Sequence, residues 1–460
     1  MKPSIPQGMR DFSPAEVRKR QYILQTIKRV FELYAFQPLE TPAMEQLSTL
    51  MGKYGEEGDR LIFKVLNNGL YEKKDKDKLQ QEWDKMLAGP YSTSVLTERA
   101  MRYDLTIPFA RYVVMHQNDL VFPFKRYQMQ PVWRADRPQR GRYREFWQCD
   151  ADVVGSNSLV NEAELISIYH QVFHELGVPQ IKININSRKV LAALASVMGM
   201  DDKLVDITVA IDKLDKIGWE GVSKELAQRG LDASSIEFIY KYLSVSGDNE
   251  ARLNAMEALL GENELAKAGL AELRTTMAYF EQMRQPEWTS ELVVDFKLAR
   301  GLNYYTGIIV EVTTSAVKMG SIGGGGRYDD LTGLFGLKGM SGVGVSFGID
   351  RIYDVIEELG LFPQQYASGS KIILLTMDDA AEAQAIQYVA QLRKSGIPAE
   401  YYTEKGKFDK KMKYANKREI PFVGIIGTDE LAQGKIAVKN MLSGSQETID
   451  FAALLALLQQ

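Results

Sequence analysis

Two strand-like segments separated by a basic loop constrain the fold of this chain more than any other feature. Aromatic and β-prone residues dominate VFPFKRYQMQPVW and EFWQCDADVVG, which lie between about 120 and 155. Proline and glycine interrupt the intervening RADRPQRGRYR, so the pattern predicts two strands joined by a long loop. Guanidinium groups bind phosphate bidentately, so this loop suits a polyphosphate or an RNA end, with a solvated charged loop as the alternative. Its five arginines are Arg134, Arg137, Arg140, Arg142 and Arg144.

Polar side chains alternate along the second of these segments. Gln148, Asp150 and Asp152 are two residues apart, so on a strand all three point to the same face. Their apolar neighbours favour the floor of a wet cleft, although a half-exposed antiparallel strand shows the same pattern. Cys149, on the opposite face, is predicted to be a small packing residue.

The composition excludes several functional classes. The 460 residues include 56 Lys and Arg against 60 Asp and Glu, so the net charge of -4 provides no global attraction to DNA or membranes. One cysteine and three histidines are too few for a Cys/His zinc site or a disulfide framework, which favours a reducing cytoplasm. No run approaches the roughly 18 apolar residues of a membrane span, and the N-terminus lacks the apolar core of a signal peptide. We therefore expect a soluble, cytoplasmic protein of about three domains.

Hydrophobic periodicity divides the chain into segments of different character. A helix is predicted over 14–36, and the highly charged segment 71–85 is predicted to be a solvated excursion, helical or mobile. Residues 200–285 have almost purely helical character, which is typical of an inserted helical module. After Gly369, strand-like and helical segments alternate, which predicts a small α/β domain with a mainly parallel sheet.

Two glycine-containing segments form a further candidate site. RGLNYYTG at 300–307 is followed by GGGGRYDD at 323–330. Consecutive glycines allow a ligand to approach the backbone closely, although their more common role is to permit a positive φ in a turn. No Gly-Lys-Ser/Thr follows and no GxGxxG opens a βαβ unit, so both common nucleotide folds are disfavoured. Arg351, at a predicted strand-to-helix transition, either holds anionic oxygens together with helix amides or is an ordinary surface arginine.

Taken in order, these segments resemble the histidyl-tRNA synthetases, a family of class II aminoacyl-tRNA synthetases. The arginine-rich strand, loop and strand is similar to the second class II motif, and GVGVSFGIDRI is similar to the third, which here ends at Arg351. RYDLTIPFARY, RADRPQRGRYREFWQCDADVVG, RGLNYYTG and GGGGRYDDL resemble segments peculiar to the family. The resemblance covers nearly the whole chain, including AIDKLDKIG and the C-terminal α/β segment.

The resemblance implies an α+β fold: a class II synthetase catalytic core on an antiparallel sheet, a helical insertion, and a C-terminal α/β anticodon-binding domain. The first part of the core, with motifs 1 and 2, is expected at 1–195 and the insertion at 196–287. The second part of the core, with motif 3, is expected at 288–365 and the anticodon-binding domain at 370–460. A homodimer through the first motif, near residues 38–42, is also implied.

The family resemblance implies a ligase reaction in two steps. L-histidine and ATP form histidyl-adenylate and pyrophosphate, and the acyl group then passes to the 3′-hydroxyl of the terminal adenosine of the histidine tRNA. Magnesium would bridge the ATP phosphates, and no metal ligand is assigned among the protein side chains. The implied partners are therefore L-histidine, ATP with Mg²⁺, the histidine tRNA and a second copy of the chain, with no membrane and no DNA.

Three arginines have the implied catalytic roles. Arg134 is expected to hold the α-phosphate, where negative charge builds as the histidine carboxylate attacks. Arg300 resembles the family's additional arginine, which reaches the α-phosphate from the opposite side. Arg351 is expected to orient the γ-phosphate, and Arg142 is a further candidate for the ATP phosphates. Because the attacking carboxylate is already an anion, this step requires no strong base.

The implied amino-acid pocket combines residues that are distant in sequence. Asp104, Thr106 and Gln148 match positions that hold the α-ammonium group, whereas Asp152, Tyr304 and Tyr305 match positions that line the imidazole ring. A carboxylate and a phenol complement the donor and acceptor of imidazole, which can give discrimination of roughly 10⁴ to 10⁵ without editing. The expected histidine-binding residues are Asp104, Leu105, Thr106, Arg134, Gln148, Asp152, Arg300, Tyr304 and Tyr305.

Two features depart from the family pattern. Asn303 stands where many members have Asp, so a carboxylate role at this position is in doubt, although the amide still forms hydrogen bonds. The charged excursion at 71–85 is longer than in the compact members. Neither departure affects the residues expected to bind ATP or histidine.

A basic segment near the C-terminus is the candidate tRNA contact. From bare sequence it resembles a solvated helix face, but an anticodon-binding domain would use it to contact phosphates of the anticodon stem. RNA affinity would then fall as salt increases. The basic residues are Lys405, Lys407, Lys410, Lys411, Lys413, Lys417 and Arg418.

Two other functions account for parts of the sequence. A regulatory subunit of histidine biosynthesis would use this fold to sense a ligand, but such proteins typically lose the ATP arginines and the anticodon-binding domain. Arg134, Arg300 and Arg351 are all present here, as is a full C-terminal segment. A plain RNA-binding protein does not account for RGLNYYTG or for the glycine run. The sequence therefore favours the synthetase.

Overall fold

The computed structural model describes residues 2–89, 93–299, 304–363, 366 and 368–459, without the side chains of 55–57. It consists of two compact units. The first comprises Met1–Arg10 and Ile23–Leu361, and the second comprises Asp11–Tyr22 and Phe362–Gln460. Across the described part, no helix combines the length and apolar character needed to cross a membrane.

A mixed sheet forms the centre of the first unit. The strands of this unit are β1 Gln37–Pro38, β2 Met44–Gln46, β3 Lys64–Val65, β4 Arg99–Met101, β5 Phe124–Trp133, β6 Glu145–Val154, β7 Ile181–Ser187, β8 Glu291–Val294, β9 Ile308–Thr314, β10 Gly323–Tyr328 and β11 Gly342–Gly348. In the described residues, eight of them form one sheet in the order β1, β5, β6, β11, β10, β9, β7, β8. Strands from β5 to β7 in this order are antiparallel, and β1 and β8 join the two edges in parallel. The α+β class with an antiparallel core sheet is confirmed.

Helices surround this sheet and fill the segment between β7 and β8. They are α1 Pro14–Leu33, which begins in the second unit, and α2 Leu47–Leu50, α3 Gly55–Leu61, α4 Lys76–Ala88, α5 Thr106–Met115, α6 Val160–Glu175, α7 Arg188–Val197, α8 Leu204–Ile211, α9 Leu214–Gln228, α10 Ala233–Leu243, α11 Asn249–Leu260, α12 Glu264–Met283 and α13 Ile349–Glu358. Short 3₁₀ helices cover Leu70–Glu72, Asp201–Lys203 and Leu331–Phe335. The predicted helical module is thus confirmed as a run of helices, and the charged excursion at 71–85 contains most of α4.

Side-chain caps explain where several of the inserted helices begin. Asp232 accepts a hydrogen bond from the amide of Ser235 at the start of α10. Asp248 accepts one from Ala251 at the start of α11, at 2.8 Å. Such caps satisfy amides that have no partner within the helix, and each typically contributes about 1 kcal/mol.

Helix α1 ends earlier than its sequence pattern predicts. The predicted end was residue 36, whereas the helix stops at Leu33. Ala35 adopts a φ of 63°, a left-handed conformation that cannot continue a right-handed helix. The apolar positions at helical spacing, such as Ile23, Ile27 and Val30, are fully buried as the pattern predicts.

The apolar face of the large sheet packs on helices and leaves the other face for polar residues. Phe347 on β11 contacts Phe31 of α1 and Tyr169 of α6, with ring centroids 5.8 and 4.5 Å apart. Cys149 lies directly across from Phe347 in the sheet and is fully buried, which agrees with its predicted packing role. Alternation along β6 therefore places Gln148, Asp150 and Asp152 on the polar face.

The four consecutive glycines form strand β10, not a turn. Positive φ values occur at many glycines of this chain but at none from Gly323 to Gly326. A Cβ on Gly325 would lie 2.1 Å from the main-chain oxygen of Gly344, and one on Gly326 would lie 2.8 Å from that of Ile308. The turn interpretation is therefore wrong, and close approach between neighbouring strands explains the glycines.

The second unit is a smaller α/β structure. Its strands are β12 Ile372–Thr376, β13 Ala399–Tyr401, β14 Phe422–Ile426, β15 Lys435–Asn440 and β16 Gln446–Asp450. Its helices, besides the start of α1 and a 3₁₀ helix at Asp379–Ala381, are α14 Glu382–Lys394, α15 Phe408–Lys417, α16 Thr428–Gln433 and α17 Phe451–Gln459.

The sheet of the second unit is only partly parallel. Its order is β13, β12, β14, β15, β16, and only the first three strands are parallel. The prediction of a mainly parallel sheet is wrong for β15 and β16. A short turn containing Gly444, with φ of 75°, joins them, and a connection this short permits only antiparallel pairing.

Candidate active site

A cavity of about 830 Å³ lies over the polar face of the large sheet. Its floor includes Gln148 of β6, Gly324 of β10 and Ser346 of β11. The basic loop between β5 and β6 and the start of α13 contribute to its wall. The segment from α7 to α9 contributes Arg188, Val205, Thr208, Val209, Asp212, Lys213 and Lys216. The inserted helices therefore enclose the site together with the core.

Three of the arginines predicted to bind phosphate line this cavity. Arg351 is held by main-chain oxygens: its Nε donates to Gly141 at 2.8 Å and its Nη1 to Ser321 at 2.5 Å. Burial lowers the pKa of the Arg351 guanidinium, and the nearby Arg142 and Arg134 lower it further. Because these three arginines share the cavity with Arg188, Lys213 and Lys216, the site is electrostatically suited to a polyanion.

Aromatic rings fix the orientation of Arg134. Its guanidinium carbon lies 4.3 Å from the ring centroid of Tyr103 and 5.2 Å from that of Phe146. Its Nε donates a 3.0 Å hydrogen bond to the main-chain oxygen of Tyr103. A stacked guanidinium keeps its planar edge in a defined direction, which suits bidentate binding of phosphate or carboxylate.

The other loop arginines serve different purposes, and one predicted residue lies outside the description. Arg140 forms an exposed ion pair with Glu358, and Arg144 donates to the main-chain oxygen of Asp136. Of the five loop arginines, Arg134 and Arg142 line the cavity, as a phosphate-binding role requires, whereas the other three do not. Arg300 lies outside the described residues, as does Asn303.

Asp104 lies in the segment before α5, directly after Tyr103, which lines the cavity. It is 2% exposed, and its Oδ1 accepts hydrogen bonds from the hydroxyl of Tyr54 at 3.0 Å and the amide of Ile107 at 3.1 Å. Burial raises the pKa of the Asp104 carboxyl, against the opposing effect of these hydrogen bonds. Leu105 and Thr106 follow directly, and Thr106 is the first residue of α5.

Asp152 is bound to two side chains in the same buried region. Its Oδ1 accepts a 2.7 Å hydrogen bond from the hydroxyl of Tyr328. Its Oδ2 lies 2.8 Å from Nη2 of the fully buried Arg126, an ion pair without good hydrogen-bond geometry. Burial raises the pKa of Asp152, and Arg126 opposes that shift. Gly344 makes room for the carboxylate, because a Cβ at this position would lie 1.9 Å from Oδ1.

Tyr304 and Tyr305 form the aromatic side of this region. Their ring centroids are 5.0 Å apart in an edge-to-face arrangement, and Tyr304 lies edge-to-face with Tyr328 at 6.1 Å. Burial raises the pKa of both phenols, and Asp152 adds to the shift at Tyr305. Thr106 opposes the shift at Tyr304. The structure therefore brings the predicted carboxylates and phenols together.

Gln148 lies between the arginines and this carboxylate region. Its Nε2 donates a 3.0 Å hydrogen bond to Oγ of Ser346, and its Oε1 is buried without a partner among the described residues. Buried polar atoms are rarely left without a hydrogen bond in native proteins. Similar unpartnered atoms occur close by, on Asp104, Arg126, Gln128, Asp150 and Asp152. Such a concentration is typical of a site that binds a polar ligand.

Sequence reasoning missed several residues of this region. Arg126 was not singled out, although KRYQMQPVW alternates Arg126, Gln128 and Gln130 in the same way as the partner strand. The register places Arg126 opposite Asp152 and Gln130 opposite Gln148. Alternation in both strands was therefore an available signal. Tyr54, Tyr328 and Arg188 gave no comparable signal, because each lies in a separate segment.

The predicted tRNA-contact residues belong to the second unit. Three of them make local contacts, Lys405 with Asp379 at 3.0 Å, Lys411 with the main-chain oxygen of Thr376 at 2.6 Å, and Arg418 with Glu400 at 2.9 Å. The others are exposed and have no ion-pair partner in the part of the chain that the structure describes; they are Lys407, Lys410, Lys413 and Lys417. Three of the basic residues are therefore engaged in contacts within the unit, whereas these four lysines are available to bind an external anion.

Metal binding by side chains alone has no support in the described ranges, where no group of three or more His, Cys, Asp or Glu residues is placed to hold a metal ion. Carboxylates are nevertheless present on the polar face. Glu311 of β9 lies opposite Gly324, so its side chain shares the face with Ser346. It also acts electrostatically on Arg351.

Comparisons with known proteins agree with this arrangement. A family model described as histidyl-tRNA synthetase matches residues 96–352, and one described as an anticodon binding domain matches 371–460. The histidine–tRNA ligase of Christiangramia forsetii is 52% identical over 455 residues, covering 98% of this chain and 98% of that protein. The one of Porphyromonas gingivalis is 50% identical over 460 residues, covering 99% of both.

Solved structures show the same similarity. The crystal structure of histidyl-tRNA synthetase from Nostoc sp. PCC 7120 matches with a TM-score of 0.83 and 30% identity, covering 100% of this chain and 99% of that one. An ATP phosphoribosyltransferase regulatory subunit/histidyl-tRNA synthetase from Bacillus halodurans matches with a TM-score of 0.68, covering 93% and 99%. Its identity is only 20%, so it supports the fold alone.

Proposed function

Because this chain belongs to the histidyl-tRNA synthetase family, we propose that the cavity over its sheet activates histidine with ATP and transfers it to the 3′ end of the histidine tRNA. The protein is an enzyme of the aminoacyl-tRNA ligase class that joins histidine to tRNA in protein biosynthesis. One observation supports this location above all others. Arg134, Arg142 and Arg351, the three described arginines expected to bind phosphate, line the cavity together with Gln148, beside a buried region of carboxylates and phenols.

The arginines would bind the triphosphate and stabilise the first transition state. Arg134 would hold the α-phosphate, where charge accumulates as the histidine carboxylate attacks and pyrophosphate leaves. Arg351 would orient the γ-phosphate, and Arg142 would contact the phosphates from the loop. Arg300 would reach the α-phosphate from the other side. Positive groups already fixed in place, as the stacking of Arg134 and the main-chain bonds of Arg351 arrange, stabilise developing charge without reorganisation.

The α-ammonium group of histidine would bind where Gln148 meets the segment before α5. Asp104, with Leu105 and Thr106 after it, would supply a carboxylate and a hydroxyl there. The unpartnered Oε1 of Gln148 and Oδ2 of Asp104 are acceptors that an ammonium group would satisfy. This places the histidine carboxylate toward Arg134, where the α-phosphate is proposed to bind.

The imidazole ring would bind between Asp152, Tyr304 and Tyr305. Neutral imidazole has one donor and one acceptor nitrogen, and a carboxylate and a phenol complement them. Burial raises the pKa of both tyrosines, so each hydroxyl keeps its proton at neutral pH and remains a donor. An amino acid without this pattern would leave buried polar groups unpaired, which is the basis of discrimination without editing.

We propose that ATP enters with Mg²⁺, which would neutralise charge on the phosphates and on the leaving pyrophosphate. Oxygen ligands suit this ion, and the donor set available on the polar face is compatible with it. Glu311 is the carboxylate that would contribute, because it shares the face with Gly324 and acts on Arg351. Most of the remaining ligands would come from the phosphates themselves.

Assembly and location are also part of the proposal. We propose a homodimer through the region near 38–42, where β1 is an edge strand with both residues exposed. Residues 196–287 would form the insertion, and the domain matched at 371–460 would bind the anticodon stem of the tRNA. The cytoplasm is the proposed compartment, since ATP and tRNA are available there. Sedimentation of the purified protein would distinguish a dimer from a monomer.

ATP–pyrophosphate exchange with each amino acid, without tRNA, tests the proposed function. We expect exchange with histidine alone, and loss of exchange in Arg134→Ala because the α-phosphate contact is removed. Histidine-dependent transfer to tRNA would then be measured in a second assay. A folded wild-type protein that binds histidine but supports no exchange would contradict the proposal and favour a ligand-sensing regulatory role.

A further inference from the structure

A third carboxylate, Asp150, lies on the polar face and has no role in the scheme above. It is 2% exposed and lies between Gln148 and Asp152 along β6. Its neighbours across the sheet are Gln128 on β5 and Ser346 on β11. Ser346 lowers the pKa of the carboxyl, whereas Oδ1 is buried without a partner among the described residues. Asp150 therefore lies on the same face of the sheet as Gln148, which lines the cavity, and one of its carboxylate oxygens has no partner among the described residues.

The charges around Asp150 do not balance. Titratable groups on several neighbouring elements interact electrostatically with its carboxyl. They are Arg126 on β5, Asp152 on β6, Asp104 and Arg102 before α5, Tyr169 on α6, and Tyr305. Arg126 already forms the ion pair with Asp152. Arg102 is more strongly influenced by Glu40 and Glu45 than by Asp150. Two neighbouring carboxylates therefore share one guanidinium, which can fully compensate only one of them.

A buried carboxyl in this position favours its neutral form. Burial raises the pKa of Asp150 to about 7, Asp152 and Asp104 act in the same direction, and Arg126 opposes them. A second cation next to Asp150 and Asp152 would favour the ionised form of Asp150, because a nearby opposite charge stabilises a carboxylate. Histidine brings such a cation in its α-ammonium group, which is proposed to bind at Gln148. Residues two positions apart on a strand are separated by roughly 7 Å, close enough to act through a low-dielectric interior.

We propose that Asp150 is a positioning residue that holds a proton in the histidine pocket and releases it to solvent when the α-ammonium group of histidine binds. The inference rests on the proposed function, because histidine must bind at this face to deliver the cation. In the bound state the ammonium group is a second cation, besides the guanidinium of Arg126, next to Asp150 and Asp152. Asp104, the other proposed ligand of the ammonium group, is also influenced by Arg134. The ionised Asp150 then holds the ammonium end in place through Ser346 and Gln148. Compounds without an ammonium group do not trigger this change.

Isothermal titration calorimetry of histidine into the full-length protein, in buffers of different ionisation enthalpy, measures the protons released. At pH 7 we expect the wild-type protein to release roughly 0.5 proton more per site than Asp150→Asn, because a group titrating near 7 is half protonated there. The difference should vanish at pH 9, where Asp150 is already ionised. The imidazole of free histidine contributes equally to both proteins, so the comparison removes its effect. Asn has the same shape as a protonated Asp, and circular dichroism verifies the fold of the variant.

Ligand analogues on the wild-type protein provide a test that does not depend on any variant. Histidinol keeps the ammonium group and lacks the carboxylate, so its binding should release the same extra proton. Equal proton release by wild type and Asp150→Asn, or histidinol binding without release at pH 7, would overturn the role of Asp150 while leaving the synthetase activity intact. Absence of any histidine binding or histidine-dependent exchange would instead contradict the proposed function. A merely structural role of Asp150 would change thermal stability but not the buffer dependence of the heat.

Discussion

The Nε of Arg351 donates a hydrogen bond to the main-chain oxygen of Gly141, and this bond joins the start of α13 to the basic loop between β5 and β6. Gly141 has a φ of 70°, and a Cβ there would lie 2.9 Å from the sulfur of Met319, so glycine is required at this position. The guanidinium is therefore oriented by the loop before any nucleotide binds. Preorganisation of this kind is what makes a fixed cation effective in a transition state.

Replacement of Arg351 should reduce activation of histidine strongly. We expect Arg351→Ala to lower kcat/KM for ATP in pyrophosphate exchange by about 10²- to 10³-fold, the usual cost of removing one preorganised charge donor. Arg351→Lys should recover little of this loss, because an ammonium group cannot donate to Gly141 and a phosphate in the same planar arrangement. Arg140→Ala is the matched control, since Arg140 is exposed and forms a surface ion pair with Glu358. An equal loss in the control would indicate that the loop as a whole, and not Arg351, is responsible.

Substitution of Gly344 should damage the histidine pocket selectively. A Cβ at this position would lie 1.9 Å from Oδ1 of Asp152, so Gly344→Ala must displace the carboxylate. We expect KM for histidine to rise at least about tenfold, with a much smaller change in KM for ATP. Gly89→Ala is the control, because nothing lies within 4 Å of a Cβ there. Equal increases in both Michaelis constants would contradict the assignment of Asp152 to the amino acid.

His170 should make the first unit sensitive to acid. It is 1% exposed, its Nδ1 is hydrogen-bonded to Oγ of Ser290, and its ring stacks on Phe280 and Trp288 at 4.6 and 5.6 Å. Burial lowers the pKa of His170 to about 3, so the folded state keeps it neutral while the unfolded chain takes up a proton below about 6.5. The fold therefore loses stability as pH falls from 6.5 toward 3, by about 2 kcal/mol at pH 5 from this group.

The variant His170→Phe tests whether His170 lowers the stability of the fold as pH falls. We expect its melting temperature to fall less than that of the wild type between pH 7 and pH 5, even if both values are lower at pH 7. His116→Phe serves as control because the side chain of His116 is 43% exposed, and it should retain the wild-type dependence. Identical pH dependence in wild type and His170→Phe would show that another group governs acid sensitivity. Differential scanning calorimetry would measure all three proteins.

The unpaired lysines of α15 should control the salt dependence of tRNA binding. We expect the triple replacement Lys410→Ala, Lys413→Ala and Lys417→Ala to raise KM for tRNA by roughly tenfold near physiological salt. The slope of log affinity against log salt should become shallower by about 2 to 3, because each lost phosphate contact removes about one released counterion. Pyrophosphate exchange without tRNA should remain unchanged. An unaltered KM for tRNA would remove this helix from the proposed interface.

Alternation and turn residues were sufficient to predict much of the first unit. The strand pair β5 and β6, the helical run at 200–285 and the polar face of β6 all follow from local patterns, because side-chain periodicity reports directly on burial. The end of α1 could not be predicted, since nothing in the sequence indicates that Ala35 adopts a left-handed conformation. The antiparallel pairing of β15 and β16 depends on the short turn between them, and the composition of this segment does not predict that pairing.

The site was predicted less completely than the fold. Residues inside recognisable segments, such as Arg134, Gln148 and Asp152, could be named as candidates from the sequence, whereas their buried neighbours could not. Arg126 lies next to Asp152 because of the strand register that places the two residues opposite each other. Tyr328 contacts Asp152 through a hydrogen bond that it donates from a different strand. Such roles arise from tertiary contacts. They become visible only when the sheet order is known.

The glycine strand β10 has a consequence for how amino-acid specificity can change. Gly326 leaves its space to Tyr305, whose ring carbon would lie 2.9 Å from a Cβ there, so this glycine contributes no side chain beside the proposed histidine pocket. Mutation cannot shorten a residue that has no side chain, and any replacement only fills space. A single substitution in this strand therefore cannot widen the proposed pocket for a larger amino acid. A lineage or an engineer seeking a wider pocket must instead alter Tyr304 or Tyr305, which would also remove the phenols proposed to contact imidazole.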